Sequence, residues 1–272
     1  MVACPPAAHS LIALIKGNTM SWIFKAWVAC SLLAALSFDA HAGASGTRNV
    51  VLVHGAFADG SSWSRVIPLL QRKGYHVTAV QLPLTSLADD VAATRRVLER
   101  QSGDVILVGH SWGGVVVTEA GNAAAVKGIV YVSALVPDSS ESAGTMLQRF
   151  NAPMEGLKPD EAGLIWLDDA AAFQSVMASD LPLATARAFA AVQKPIAARS
   201  FDEVVTRAAW RDKATWYLRT DGDHALPFPV QQKISEQLKG QTVTIKSSHL
   251  SLLSHPRQVA SLIERAARSA PR

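Results

Sequence analysis

Hydrophobic and polar positions along the chain alternate between strand-like and helix-like segments. Strands are predicted at 49–54, 75–82, 105–108, 127–135, 215–219 and 242–247, and the continuous apolar run at 49–54 is typical of a strand buried on both faces of a parallel sheet. Segments with apolar residues at helical spacing lie between them. This alternation predicts an α/β fold: a doubly wound, mostly parallel sheet with right-handed crossovers.

The helical pattern is clearest at five places. One helix is expected through Trp63 to Gly74, and Ser86 with Asp89 has the composition of a helix start. A third helix should follow Ser111, and the last two are expected at about 230–238 and 256–267.

Residues 137–209 interrupt the alternation. This stretch contains Ala-rich helical patterns broken by prolines, and its large apolar residues recur without strand periodicity. We interpret it as a helical cap inserted over the carboxyl ends of the strands, where ligands bind in such sheets. Most of its large apolar residues are expected in the core of the cap rather than against substrate: Trp166, Phe173, Met177, Leu181, Phe189 and Phe201.

The N-terminus has the layout of a secretory signal peptide. From Met20 the chain presents Lys25, an apolar run of about 13 residues (26–38) and the A-x-A sequence Ala40-His41-Ala42. The run is short for a membrane span, although an anchor or a buried helix is the alternative. We predict removal of residues 1–42, with 1–19 an upstream extension, and a periplasmic or secreted domain of residues 43–272 without a stable membrane anchor. Both cysteines, Cys4 and Cys30, lie in the removed part.

Composition narrows the function classes. The 272 residues are 49% hydrophobic and 18% charged, as expected for one globular domain with a large core. The net charge of +4 is spread along the chain rather than clustered, which argues against a nucleic-acid partner. The sequence leaves the oligomeric state open.

The strongest chemical signal is Gly109-His110-Ser111-Trp112-Gly113, which fits G-x-S-x-G between a predicted strand and a predicted helix. In that context the serine occupies a tight strand-to-helix turn and projects its Oγ from the sheet, and the glycines leave room for the turn. The helix start directs free N–H groups at a developing oxyanion. We therefore predict that Ser111 is a catalytic nucleophile.

A serine nucleophile needs a base and an acid, which should follow it in the chain at late strand ends. His249 directly follows the last predicted strand and is the favoured base over His224 and His255. The acid lies in the loop after strand 215–219, where Asp221 and Asp223 are both candidates.

The oxyanion hole should combine two backbone N–H groups, from Trp112 and from Ala56 in the loop after the first strand. His54 is expected to brace that loop. The sequence contains no HExxH, clustered Cys/His, Walker or G-x-G-x-x-G pattern, so we expect no cofactor and no metal.

Several separated segments resemble one family in the same order: VLVHGAFADGSSW, VILVGHSWGG, IVYVSALVPDSSES, AAVQKPIAARSF and VTIKSSHLSLLSHP. They are similar to bacterial serine esterases of the α/β-hydrolase fold related to plant methylesterases and hydroxynitrile lyases. The resemblance spans about 49–267. It implies a carboxylic-ester hydrolase acting on a small-molecule ester with Ser111, Asp223 and His249 as triad, since Ala225-Leu226-Pro227 aligns Asp223 with the family pattern.

The chain departs from the family at two places. The family often carries Asp two residues after the Thr of the acid loop, where this chain has Gly222. The hydroxynitrile-lyase branch has Lys after the catalytic His and Thr in the first loop, whereas here Leu250 follows His249 and the loop reads His54-Gly55-Ala56. The alternatives are a hydroxynitrile-lyase-like or C–C/C–N bond-cleaving enzyme with the same triad, and a ligand-binding homologue without turnover.

Overall fold

A six-stranded sheet forms the centre of the protein in a computed structural model, which describes residues 47–152, 156 and 158–271. The expected cleavage site and signal peptide lie outside the described residues. The strands, in chain order, are β1 (Asn49–Val53), β2 (His76–Ala79), β3 (Val105–His110), β4 (Val126–Val132), β5 (Ala214–Thr220) and β6 (Gln241–Ile245).

All neighbouring strands of this sheet pair in parallel, in the spatial order β6-β5-β4-β3-β1-β2. The chain adds β2 on one side of β1 and then places β3, β4, β5 and β6 in succession on its other side. The direction in which strands are added therefore reverses between β1 and β3. The end of β3 is therefore a topological switch point, the place where open α/β sheets bind ligands. The predicted doubly wound parallel sheet is confirmed.

Helices separate the strands. They are α1 (Ile67–Gln71), α2 (Leu87–Glu99), α3 (Gly113–Ala120), α4 (Ala143–Arg149), α5 (Ala170–Met177), α6 (Leu183–Val192), α7 (Phe228–Leu238), α8 (Ser251–Ser254) and α9 (Pro256–Ser269). Ser86 caps α2 by accepting a hydrogen bond from the Asp89 amide, as the sequence predicts. No helix among these described residues is long and apolar enough to cross a membrane.

Two predicted elements differ from the structure. The helix expected from Trp63 to Gly74 is a 3-10 turn at Gly60–Trp63 followed by the short α1, because Pro68 fits only the first turn of a helix. The strand expected over 75–82 is paired only over β2. β2 is the edge strand; the Val80 amide still donates to the Leu52 carbonyl at 2.9 Å, but residues 80–82 are not part of the ladder.

The described part of the insertion between β4 and β5 contains the α-helices α4, α5 and α6, two short 3-10 helices and two small antiparallel ladders. Glu141–Ser142 pairs with Val204–Val205, and Leu164–Ile165 pairs with Ile196–Ala197. The sequence did not predict these ladders, because a two-residue strand is too short to show periodicity. They join the beginning of the insertion to its end.

Candidate active site

Ser111 lies at the tip of the turn between β3 and α3. Its φ of +53° places it in the left-handed region, which a non-glycine residue occupies only under constraint. Its amide donates to the Val132 carbonyl at 3.2 Å, and its own carbonyl accepts from the Leu135 amide at 3.1 Å. Gly109 is required here because a Cβ would lie 2.6 Å from the Gly113 carbonyl oxygen. The strained elbow expected from the sequence is present.

His249 lies in the loop after β6 and is paired with a carboxylate. Its Nδ1 is 2.7 Å from Asp223 Oδ2, and both side chains are buried. Asp221, the other candidate acid, is exposed. Of the two aspartates, the structure places Asp223 against the imidazole. An anion at Nδ1 fixes the tautomer that leaves Nε2 free to accept a proton.

Asp223 is itself held by four other donors. The Ala225 and Leu226 amides donate to its Oδ1 at 2.9 and 2.8 Å, and Thr220 Oγ1 and Gln231 Nε2 donate to Oδ2 at 2.9 and 3.0 Å. A buried carboxylate is stable only when its oxygens are satisfied in this way. The carboxylate is thereby fixed in one orientation toward the imidazole.

His249 Nε2 is buried and has no hydrogen-bond partner among the described residues. Ser111 and His249 line the same cavity, but the serine hydroxyl and Nε2 are not hydrogen-bonded to each other. Nucleophile–base bonds are often long without ligand and tighten when substrate binds. Among the described residues, Nε2 is thus an acceptor without a partner, on a side chain that lines the same cavity as Ser111.

His110 packs against the candidate base. Its Nε2 is 3.0 Å from the His249 carbonyl oxygen, and the two ring centroids are 4.7 Å apart. Burial holds the pKa of His110 well below its ordinary value, so the ring is neutral and donates through Nε2–H. His110 therefore fixes the backbone of His249 and is not itself placed to act as the base.

The two predicted oxyanion donors line the same cavity as Ser111. Neither the Ala56 nor the Trp112 amide donates to another group in the part of the chain that the structure describes. The first loop approaches the nucleophile closely: a Cβ at Gly55 would lie 2.7 Å from Ser111 Cβ. Two unpaired N–H groups beside a nucleophile are what an oxyanion hole requires.

His54 braces the first loop, as expected. Its Nδ1 contacts the Gly55 carbonyl at 2.8 Å, and its Nε2 accepts from the Leu82 amide at 3.0 Å. Burial lowers the pKa of His54 to about 4, against the opposing hydrogen bond to Gly55. The ring is therefore neutral at physiological pH, with its proton on Nδ1.

Trp112 is fixed by a second buried carboxylate. Its Nε1 donates to Asp90 Oδ2 at 2.8 Å, and Asp90 Oδ1 accepts from the Leu84 amide at 2.7 Å. Burial raises the pKa of Asp90 to about 6, against the lowering effect of these two hydrogen bonds. Asp90 thus orients the side chain of the residue that carries one predicted oxyanion amide.

The cavity has a volume of about 1120 Å³ and is lined largely by apolar residues, many of them from the cap. Its apolar lining includes Phe57, Leu135, Leu147, Phe150, Trp166, Leu167, Val176, Met177, Phe201, Leu226 and Val230. Ser111 and His249 are the polar groups at the carboxyl ends of the strands, and the other polar lining residues are Asn151, Asp168, Asp169, His224 and Lys233.

The cap residues that were expected in its core divide into two groups. Trp166, Met177 and Phe201 line the cavity, whereas Phe173, Leu181 and the partly buried Phe189 do not. Trp166 is 43% exposed, so for this residue the expectation of a core position is wrong. Trp166 directly follows the short ladder at Leu164–Ile165, and its Nε1 donates to Asp160 Oδ2 at 2.8 Å, a contact that the apolar pattern alone does not indicate.

No group of three metal-ligating side chains converges anywhere in the described ranges. Asp223, the carboxylate that contacts the imidazole, is fully used by hydrogen bonds from protein donors.

A model of the alpha/beta hydrolase family matches residues 50–262, most of the chain. The chain belongs to the alpha/beta hydrolase family. The predicted membership is confirmed, and the matched range includes the elbow, both candidate acids and His249.

Curated relatives extend over most of this alpha/beta hydrolase. Alpha/beta hydrolase nvfD of Aspergillus novofumigatus is 28% identical over 80% of this chain and 96% of its own. A pyrethroid hydrolase of Sphingobium wenxiniae is 24% identical over 79% of this chain and 86% of its own. Salicylic acid-binding protein 2 of Nicotiana tabacum is 34% identical over a shorter stretch, 38% of this chain and 46% of its own.

Solved structures show the same fold. A pyrethroid hydrolase from Sphingobium faniae superposes with a TM-score of 0.70 at 21% identity, covering 82% of this chain and 98% of its own. An extracellular α/β-hydrolase from a Paenibacillus species gives 0.67 at 21% identity, covering 81% and 99%.

Sequence analysis missed several residues that shape this hydrolase's site. Asp90 on α2 contacts Trp112, Gln231 on α7 contacts Asp223, and Asp180 in the cap contacts Ser248, next to His249. The available signal was weak: Asp90 and Gln231 interrupt the expected buried faces of α2 and α7. A polar residue on a buried helical face indicates a specific partner but does not name it.

Proposed function

We propose that this chain is an exported carboxylic-ester hydrolase that acts on small to medium-sized esters through an acyl-enzyme. One observation carries the proposal: the strained Ser111 opens onto the same cavity as His249, whose Nδ1 is held by the buried Asp223. Relatives named as pyrethroid hydrolase, carbendazim hydrolyzing esterase and methylesterase 1 support ester or related acyl chemistry.

In the proposed acylation step, Ser111 Oγ attacks the ester carbonyl carbon while its proton passes to His249 Nε2. The carbonyl oxygen becomes an oxyanion held by the Ala56 and Trp112 amides. The C–O bond to the alcohol then breaks, and the alcohol leaves with the proton from His249. Asp223 stabilises the imidazolium that forms in between.

In deacylation, water takes the place of the alcohol. His249 removes a proton from water, the resulting hydroxide attacks the acyl carbon, and Ser111 Oγ leaves with the proton returned by His249. The products are the free carboxylic acid and the original enzyme. Every proton transfer uses Nε2, the atom that has no hydrogen-bond partner among the described residues.

The cavity supports an apolar substrate. Its volume of about 1120 Å³ is slightly above that of typical ligand sites, and apolar side chains form most of its wall. An ester with a bulky apolar acyl or alcohol part would bury that part against the cap. We therefore propose apolar esters above acetyl size as the preferred substrates.

The proposal is tested with p-nitrophenyl esters of increasing acyl length and a fluorophosphonate label. Ser111→Ala should lower kcat by several orders of magnitude, up to about 10⁶-fold, and abolish labelling. Ser140→Ala is the matched control, since Ser140 also has a positive φ (+62°) but does not line the cavity. Labelling of another residue, or an active Ser111→Ala variant, would contradict the proposal.

A further inference from the structure

One short segment of the cap contacts the loops of both predicted triad partners. It covers the end of α5 and the turn after it, residues 175–180, and we call it the cap anchor. The Ser175 carbonyl accepts from His224 Nδ1 at 2.8 Å, next to Asp223, and the Met177 carbonyl accepts from the Leu250 amide at 3.0 Å, next to His249. The same element thus flanks the acid and the base.

Asp180 accepts three hydrogen bonds from the loop that carries His249. Its Oδ2 accepts from Ser247 Oγ and from the Ser248 amide, both at 3.0 Å, and its Oδ1 accepts from Ser248 Oγ. Ser247 and Ser248 are almost fully buried. Among the described residues, the titratable group paired with Asp180 is His255, whose Nδ1 is 3.7 Å from Oδ2.

These contacts matter because the sheet does not reach His249. β6 ends at Ile245, so strand hydrogen bonds do not fix residues 246–249. Within those residues, the backbone is held at Ser247 by the Gly222 amide and at Ser248 by Asp180. His110 then contacts the His249 carbonyl from the other side.

We propose that Asp180 is a positioning residue, which holds the Ser247–Ser248 segment so that the His249 imidazole stays aligned with Asp223 and Ser111. This role rests on the proposed serine-hydrolase function. Asp180 does not line the cavity and touches no reacting group, so it acts only through the loop. A displacement of about 1 Å in a catalytic group costs up to about 10²-fold in rate.

Asp180 remains ionised at neutral pH. Burial acts to raise its pKa, but hydrogen bonds from Ser248, Ser254 and Ser247 outweigh burial, and the pKa is below its ordinary value. The role needs acceptor geometry more than charge. Asparagine could accept from Ser247 Oγ and the Ser248 amide through its oxygen and donate to Ser248 Oγ through its nitrogen.

The kinetic test compares Asp180→Ala with Asp180→Asn. Asp180→Ala should lower kcat by about 10- to 100-fold with KM changed by less than about threefold, whereas Asp180→Asn should stay within about threefold of the parent in both. Gln174→Ala is the matched control, because Gln174 Nε2 donates to the Leu181 carbonyl across the same turn but contacts neither serine. It should retain kcat.

The second readout is the low-field proton resonance of His249 Nδ1–H, assigned by its loss in His249→Ala. It reports the Asp223–His249 bond without substrate, so it decides the positioning role even if no ester is hydrolysed. The resonance should broaden or vanish in Asp180→Ala and persist in Asp180→Asn and Gln174→Ala. An unchanged resonance in folded Asp180→Ala, with or without a loss of kcat, would overturn the proposal.

If Asp180→Ala does not fold, Ser247→Ala/Ser248→Ala provides the alternative test, since it removes two of the three donors while leaving the cap intact. The same loss of kcat and of the resonance is expected. Full retention of both would overturn the proposal. Absence of Ser111-dependent hydrolysis in the parent protein would instead contradict the proposed function.

Discussion

Asp223 Oδ2 lies 2.7 Å from His249 Nδ1, whereas the side chain of Asp221, two residues earlier, is exposed. The backbone amide of Asp221 donates a hydrogen bond to the Ile245 carbonyl of β6. The two aspartates flank Gly222, and their sequence surroundings are nearly equivalent. The fold separates them because only one of the two side chains turns toward Thr220 and Gln231.

We predict that Asp223→Asn lowers kcat by up to about 10⁴-fold with little change in KM, because the carboxylate acts mainly on the imidazolium of the transition state. Asp221→Asn should keep most activity. The measurement is steady-state hydrolysis at neutral pH together with the unfolding temperature of each variant. Reversed activities would identify Asp221 as the acid.

Gly113 holds α3 against β1, and its substitution should disturb the elbow. A Cβ there would lie 2.6 Å from both the Val53 and the His54 carbonyl oxygens, which are backbone atoms and cannot turn aside. Gly113→Ala should therefore cost about 1–3 kcal/mol of unfolding free energy and lower kcat. Gly144→Ala, with its nearest contact at 3.2 Å, is the control in urea unfolding and should cost much less. Equal losses would contradict the prediction.

His54 should make the protein less stable in acid. Its pKa is about 4 in the folded state against an ordinary value of 6.5 for the unfolded chain, so the stability it contributes is present above pH 6.5 and is lost as pH falls toward 4. Between pH 7 and pH 5 this loss is about 2 kcal/mol. Urea unfolding at both values should show a smaller pH difference for His54→Asn.

Two other groups, His110 and Asp90, also change the unfolding free energy between pH 7 and pH 5. His110 acts in the same direction, because its pKa is also lowered by burial. Asp90 acts in the opposite direction, since its pKa is raised to about 6 and its ionisation in the folded state costs stability as pH rises. The comparison of parent with His54→Asn cancels both. An unchanged pH difference would show that His54 does not titrate as inferred.

Narrowing the cavity should discriminate among esters by size. Val176 lines the cavity from α5, so Val176→Trp should lower kcat/KM for long-chain or aromatic p-nitrophenyl esters by at least about tenfold more than for the acetate. Val192→Trp is the control, because Val192 is 58% exposed and does not line the cavity. An equal loss of kcat/KM for all esters of the series would show that the acyl group does not lie beside Val176.

Export is tested by N-terminal sequencing. The apolar run at 26–38 and the A-x-A sequence at 40–42 predict that protein recovered from periplasm or medium begins at Gly43. Substitution of Ala40 and Ala42 by bulky residues should block processing and leave the longer chain in the cell. Mature protein that retains Met20 would contradict the prediction.

The sequence by itself determined the features that depend on neighbours along the chain. Buried parallel strands appear as apolar runs, amphipathic helices as 3.6-residue periodicity, and the elbow as G-x-S-x-G between a strand and a helix. All six sheet strands were predicted from the local sequence, and Ser111 was singled out because its strained turn needs only local residues.

Only the tertiary structure decided the relationships between distant residues. It brought Asp223, which the family resemblance already favoured over Asp221, beside His249, and it placed Asp90 against the Trp112 indole and Asp180 of the cap against Ser247 and Ser248. Periodicity indicates which face of a helix or strand is buried, but it does not indicate which polar group from elsewhere in the chain pairs with a polar side chain on that face. That pairing depends on strand order and on how the cap packs on the sheet, because a buried carboxylate such as Asp90 or Asp223 must find hydrogen-bond donors there.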